Sequence, residues 1–226
     1  MGELLLTIGN KNYSSWSLRP WILMKHLVLE FAERVIPLDT QEFARTIGGV
    51  SPSKRVPVLK HGDLAIWDSL AICEYVCELA GRGWPKDSAA RAVARAACAE
   101  MHAGFSMLRS QWPMNARATG RRTVSSPERA REIARIEELW GECRGRFGAG
   151  GPWLFGEYSA ADAMYAPVVL RFRTYGAQLG APAREYVETA LADPHLRAWL
   201  DDAERETWII DGSDIGRTSD SQGDKE

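Results

Sequence analysis

Cysteine is scarce in this chain. Four occur in 226 residues, Cys73, Cys77, Cys98 and Cys143, and no two form a Cys-x-x-Cys pair. Cys73 and Cys77 lie four apart on a predicted helix and share a face, but zinc needs further ligands at fixed spacing, and the sequence supplies none. The expectation is four reduced, structural thiols, no metal and a cytoplasmic setting. No apolar run is long enough to span a bilayer, and the N-terminus Met1-Gly2-Glu3-Leu4 lacks the basic stretch and apolar run of a leader. Met-Gly alone does not make an acylation motif, because Leu6 stands where Ser or Thr is needed. An excess of charge is missing too. Lys and Arg number 28 against 30 Asp and Glu, a net charge of −2 that gives no push towards nucleic acid or an anionic membrane. The acidic residues show no paired spacing suited to hydrolysis, and there is no internal repeat.

What is present is an ordinary globular balance, 45% hydrophobic and 26% charged, in a length that suits one large or two small domains. Residues 4–8 form a short apolar run closed by Gly9-Asn10, which predicts a buried strand. A helix is predicted over 18–29, with Pro20 near its first turn, where a missing N–H is tolerated. Residues 34–38 predict an edge strand, 56–59 and 64–67 two more strands joined at His61-Gly62-Asp63, and 69–80 a helix ended by Gly81. Residues between the second and third strands read as loop. The order is mixed α and β over residues 1–80, and the Gly- and Pro-containing stretch 81–87 marks a boundary. From 88 to 210 the pattern is helical: 88 to about 111, a helix capped by Ser126 with Pro127 in its first turn and running to about 147, a buried helix opened by Ser159-Ala160-Ala161-Asp162, and shorter helices over 183–191 and 194–204. Residues 211–226 carry few large apolar groups, so a disordered tail is expected.

Three segments of the first third carry chemistry. Tyr13-Ser14-Ser15-Trp16-Ser17-Leu18-Arg19-Pro20 leads from a strand into a helix, whose first-turn N–H groups and dipole favour an anion. A serine hydroxyl placed there can donate to a thiolate and lower its pKa from the free value of about 8.5, and the thiolate is the nucleophilic form. Val56-Pro57 at a strand start can, if its peptide is cis, turn the preceding backbone towards an extended peptide ligand. Asp68-Ser69 opens the next helix: Ser69 can cap it and bind a carboxylate, while Asp68 can pair with an ammonium. Taken singly, Ser14-Ser15 and Asp68-Ser69 read more readily as plain helix caps, and Val56-Pro57 has an ordinary trans proline as its plain alternative. In this order they suit a small anionic thiol peptide.

These residues resemble the cytosolic glutathione transferase superfamily over about residues 3–205. Ser14-Ser15-Trp16-Ser17-Leu18-Arg19 is similar to the Ser-Ser-Cys-x-x-Arg turn of the zeta class and, more loosely, to the serine turns of the tau and phi classes. Ser51-Pro52-Ser53-Lys54-Arg55-Val56-Pro57-Val58-Leu59 is similar to the family's Asn-Pro-x-Gly/Lys-x-Val-Pro-x-Leu, Asp68-Ser69 to its Glu/Gln-Ser pair, and Ser159 to Asp162 to the capping box of its buried helix. The resemblance implies an α+β fold, a thioredoxin-like domain followed by an all-α helical domain, and a homodimer. It implies glutathione as co-substrate, with Ser14 on the thiolate and Ser15 as its neighbour or substitute. Val56 would pair with the cysteinyl backbone beside cis Pro57, Ser69 would hold the γ-glutamyl carboxylate, Asp68 the ammonium, and Lys54 or Arg55 the glycyl carboxylate. The acceptor is expected to be a small hydrophobic electrophile, in a pocket drawn from Tyr13, Trp16, Phe105, Arg109, Trp112 and Asn115. Trp16 replaces the zeta-class cysteine, which argues against that class's isomerisation. Glutathione-dependent isomerase or dehalogenase activity, and a binding protein that keeps the fold without the chemistry, are the alternatives. His102 and His195 read as lone surface or core histidines, Trp112, Trp140, Trp199 and Trp208 as core, and the Arg117–Arg122 run as a solvated loop.

Overall fold

A computed structural model describes residues 2–217. The first unit is β1 (Leu4–Ile8), α1 (Ser15–His26), β2 (Ala32–Val35), α2 (Gln41–Val50), β3 (Val58–His61), β4 (Leu64–Trp67) and α3 (Ser69–Ala80). Its sheet runs β2-β1-β3-β4. Strand β1 pairs parallel with β2, Leu6 opposite Glu33, as the crossover through α1 requires, and antiparallel with β3, Leu6 opposite Leu59. β3 and β4 form a hairpin whose turn holds Gly62 at φ 58°, a conformation glycine takes without steric cost. The second unit is helical: α4 (Ser88–Ala103), α5 (Ser106–Gln111), α6 (Pro127–Phe147), α7 (Ala160–Tyr175), α8 (Ala181–Ala192) and α9 (Pro194–Arg205). The fold is therefore α+β, a thioredoxin-like unit followed by an all-helical one.

Helix α7 is the axis of the core. It is apolar nearly all round, and from Ala160 to Tyr175 only Arg173 is not buried. It packs against α1 and α4, so one helix seals both units, and Ala160 N–H donates to Gly83 O across the linker at 2.8 Å. Its N-terminus is held by Asp162, whose carboxylate accepts from the Ser159 N–H and hydroxyl, both at 2.9 Å, from Leu154 N–H at 3.0 Å and from the Tyr186 hydroxyl at 3.0 Å. Ser126 caps α6 as its position before Pro127 leads one to expect, accepting from Arg129 N–H.

Several expectations are corrected. Helix α1 covers 15–26, not 18–29, and β2 covers 32–35, leaving Pro37 outside it. The stretch read as loop contains α2, capped by Thr40, which accepts from Phe43 N–H. It was illegible because only Ile47 is buried, and Gly48-Gly49 and Thr46 weaken its helical signature. The helix expected over 88–111 is two. Gly104 N–H closes α4 on Glu100 O, and a Cβ on Gly104 would stand 2.8 Å from that oxygen. Phe105 then takes φ 55°, and the Glu132 carboxylate accepts from Met107 and Leu108 N–H to start α5. The tail is only partly as expected. Residues 211–217 pack: Asp214 accepts from Asn115 at 2.9 Å and Arg121 at 2.5 Å and meets Arg217, and Arg122 N–H donates to Gly216 O. The remaining residues of that expectation, 218–226, lie outside the described residues. The arginine run is not a free solvated loop either, since Arg117 donates to the Glu206 and Trp208 carbonyls. Trp112, Trp140 and Trp199 are buried, whereas Trp208 is exposed beyond α9.

Candidate functional site

The turn after β1 brings the first serines to the head of α1. Tyr13 and Ser14 N–H both donate to Asn10 O, closing the chain back on itself. Ser14 stands at the N-cap position, but its hydroxyl caps nothing. It lies 2.7 Å from the Ser17 hydroxyl, which also accepts from Gly9 N–H at 3.1 Å. Ser14 and Ser15 are both buried. One turn on, Arg19 points under Trp16, its guanidinium 4.2 Å from the ring centroid.

The second and third segments converge beside this turn. A cleft of about 390 Å³ is lined by Trp16, Ser53, Arg55, Val56, Pro57, Trp67, Asp68, Ser69 and His102. The Val56–Pro57 peptide is cis. Lys54 is exposed at φ 56° on the turn that leads into Arg55, and only Arg55 of the two faces the cleft. At α3 the capping residue is Asp68, not Ser69: the Asp68 carboxylate accepts from Leu70 N–H at 2.8 Å and Ala71 N–H at 3.4 Å. Its φ of 74° is unusual for a residue with a side chain and directs the carboxylate back over the helix end. Ser69 is the first helical residue and is buried, its hydroxyl accepting from Arg19 at 3.3 Å.

Charge in this region is unbalanced. Arg19 is fully buried, yet its one hydrogen bond goes to a neutral hydroxyl, and its Nε has no partner among the described residues. Burial pushes its pKa down to about 10, with Cys73 and Asp68 pulling the other way and Arg109 adding to the fall. Arg171 on α7 is driven to about 9 by burial, with Arg19 and Arg109 as further causes. The cleft is thus backed by one buried, incompletely paired guanidinium, Arg19, and carries Arg55 and Asp68 on its lining, a setting with donors for an anionic ligand.

The chain's own thiols do not supply a nucleophile. Burial raises Cys73 and Cys98 well above the ordinary thiol value, Cys77 to about 12 and Cys143 to about 11. Thiolate chemistry in this cleft therefore needs a thiol brought by a ligand. Among the described residues no three His, Cys, Asp or Glu side chains converge as metal ligands, and no helix is long and apolar enough to cross a membrane.

The suggested acceptor residues scatter. Trp16 lines the cleft, and Arg109 stands over its ring at 5.3 Å. Phe105 lines a different hollow, against α6. Trp112 stacks on Tyr175 at 5.1 Å and donates to Thr123, Asn115 is tied to Asp214, and the buried Tyr13 hydroxyl accepts from Arg117. The cleft also holds residues the sequence reading passed over. Ser53 and Trp67 carried no signal beyond their neighbours. His102 reads from sequence as a lone histidine, and only the packing of α4 against α3 brings it to Asp68.

Comparison with known proteins follows the same division. A family profile described as "Glutathione S-transferase, N-terminal domain" matches residues 13–79, and one described as "Glutathione S-transferase, C-terminal domain" matches 126–202. No curated protein matches the chain. Among solved structures, a glutathione transferase homologue from Burkholderia, with bound glutathione, is 21% identical with a TM-score of 0.69, covering 89% of this chain and 98% of its own. Yeast Ure2p in complex with glutathione is 18% identical with a TM-score of 0.68, covering 88% and 93%. The tau-class glutathione S-transferase of mango, Mangifera indica, is 17% identical with a TM-score of 0.65, covering 89% and 96%. At these identities the likeness is one of fold.

Proposed function

The chain belongs to the glutathione S-transferase family, and from that premise we propose that it binds glutathione in the Trp16–Val56–Ser69 cleft and adds the thiolate to a small hydrophobic electrophile. One observation carries the reading: residues of three separate segments, Trp16, Arg55 to Pro57 and Asp68-Ser69, line a single cleft, with the buried Arg19 guanidinium behind Ser69. The Burkholderia and Ure2p structures, of the same fold, carry glutathione.

Each end of the tripeptide has a complementary group. The Ser69 hydroxyl, held by Arg19, takes the γ-glutamyl carboxylate, and Asp68 takes the ammonium. The Val56 backbone pairs with the cysteinyl residue, and Arg55, with Lys54 beside it, faces the glycyl carboxylate. Ser14 serves the sulfur, with Ser15 as its neighbour. Gly9 N–H already occupies one lone pair of the Ser17 hydroxyl. When Ser17 donates to Ser14, Ser14 keeps its own proton for the thiolate. That hydrogen bond and the head of α1 lower the thiol pKa and raise the nucleophilic fraction at neutral pH. Trp16 and Arg109 border the acceptor side. The protein so described works as a cytoplasmic, detoxifying homodimer.

A second reading keeps glutathione binding without transfer. It draws on the burial of Ser14, which is paired with Ser17 and lies off the cleft lining, and on the likeness to Ure2p, one of whose structures is described as a nitrogen regulation fragment. Glutathione-dependent isomerase or dehalogenase activity is a third and needs only a different acceptor. Calorimetry and turnover separate them. Glutathione is expected to bind with a Kd between about 1 µM and 1 mM. Ser69→Ala is expected to weaken it about tenfold, the worth of one hydrogen bond to a charged group. Ser14→Ala is expected to lower turnover by about a hundredfold or more while changing Kd by less than about threefold. Unchanged turnover in that variant removes Ser14 from the chemistry, and absence of binding removes the whole reading.

A further inference from the structure

His102 belongs to the helical unit, on α4, yet its ring reaches across to the head of α3. Its Nε2 lies 3.2 Å from Asp68 Oδ2, and its ring meets Trp16 edge to face, with centroids 5.3 Å apart. The other nitrogen, Nδ1, is buried and has no partner among the described residues. A proton on Nδ1 would be a buried donor with nothing to donate to, so a neutral ring carries its proton on Nε2, facing the carboxylate. Arg109 ties the two neighbours together: it donates to the His102 carbonyl, and its guanidinium also covers Trp16.

Asp68 is thereby fixed from two sides. One carboxylate oxygen caps α3 through Leu70 and Ala71 N–H, and the other faces His102. The φ of 74° leaves the residue in a conformation that must be stabilised by its surroundings. The ring N–H orients the carboxylate, and the Asp68 side chain stays 43% exposed and lines the cleft.

We propose that His102 is a positioning residue for glutathione: it aims the Asp68 carboxylate at the γ-glutamyl ammonium, so that the helical unit takes part in recognising a tripeptide otherwise held by the sheet unit. This rests on the placement of the γ-glutamyl group at Asp68-Ser69.

The test compares two ligands on three proteins by calorimetry. The ligands are glutathione and the analogue whose γ-glutamyl residue lacks its amino group. The proteins are wild type, His102→Phe, which keeps a ring edge against Trp16 and loses the donor, and His102→Gln, which restores an N–H donor and loses the ring. Expected results are a glutathione Kd about tenfold weaker in His102→Phe, substantial recovery in His102→Gln, and no effect of either change on the analogue. Ring packing as the whole role of His102 predicts the reverse order, Phe mild and Gln severe, with both ligands affected alike, and that result overturns the proposal. A His102→Phe effect of the same size in an Asp68→Asn background overturns it too, since the two changes must not add when one acts through the other. Failure of the wild type to bind glutathione at all defeats the proposed function, and this inference falls with it. Wild-type binding with an indifferent His102 defeats the inference alone.

Discussion

Asp162 in the helical unit and Arg19 in the sheet unit are both buried charges, and their surroundings differ. Asp162 accepts four hydrogen bonds, from Leu154, Ser159 twice and Tyr186. Burial still raises its pKa against the pull of those donors, so the site holds the carboxylate at a cost that the network largely offsets. Arg19 has one hydrogen bond to Ser69, a Trp16 face above it and a bare Nε. The first arrangement ties the 154–162 turn to α7 and α8 and leaves no capacity over. The second leaves donor capacity and positive charge beside a cleft. The satisfied charge is a joint of the scaffold, and the incompletely paired one is where the proposed ligand would find a donor.

That contrast can be broken most sharply at its structural pole. Asp162→Ala strands Ser159 and Leu154 N–H and the Tyr186 hydroxyl, and should cost about 3–5 kcal/mol of stability, read as a fall in the denaturant midpoint. The opposite pole should behave oppositely. Arg19→Met removes an incompletely paired buried charge and fills similar space, so the melting temperature should hold or rise while glutathione affinity falls by about tenfold or more. A large loss of stability in Arg19→Met would show that Arg19 is scaffold after all.

The smallest expected effect lies at a third buried charge, intermediate between these two. Asp193 caps α9 through His195 N–H and meets His26 of α1 at 2.6 Å. Burial pushes its carboxyl up, but the His26 contact and the His195 N–H outweigh it, and the net direction is down. A depressed carboxyl contributes stability that is complete above the ordinary value near 3.8 and is lost as pH falls through the lower folded value. Asp193→Asn keeps a cap but not the charge. It should cost about 1 kcal/mol at neutral pH and nothing extra once the pH is low enough to protonate Asp193 in the folded wild type, so the two acid-denaturation curves converge.

Much of the fold was legible because its signals are local. Ser126-Pro127, Ser159 with Asp162, and Gly81 announce helix ends through capping chemistry that needs only neighbours in sequence. Helix α2 was missed because a helix with one buried residue has no apolar stripe to read. The split between α4 and α5 was missed because its cause, the Glu132 carboxylate on Met107 and Leu108 N–H, comes from another helix. The same line divides the site. Trp16, Arg55 to Pro57, Asp68 and Ser69 were named from sequence and share one cleft. Phe105, Trp112 and Asn115 were named from their place on or after one long helix that is in fact interrupted, and their side chains turn to α6, Tyr175 and Asp214.

By itself the sequence determined most of the strands and helices, α2 and the break between α4 and α5 excepted, and it singled out the three segments that meet at one cleft. Tertiary structure alone decided that Arg19 and Ser69, fifty residues apart, share a hydrogen bond, and that His102 of one unit faces Asp68 of the other. The physical reason is range. Backbone preferences, caps and apolar periodicity act over a few residues and leave a trace in the order of amino acids. The distance between two side chains on different elements is set by how α3, α4 and α7 pack around α1, and that packing is a property of the whole core.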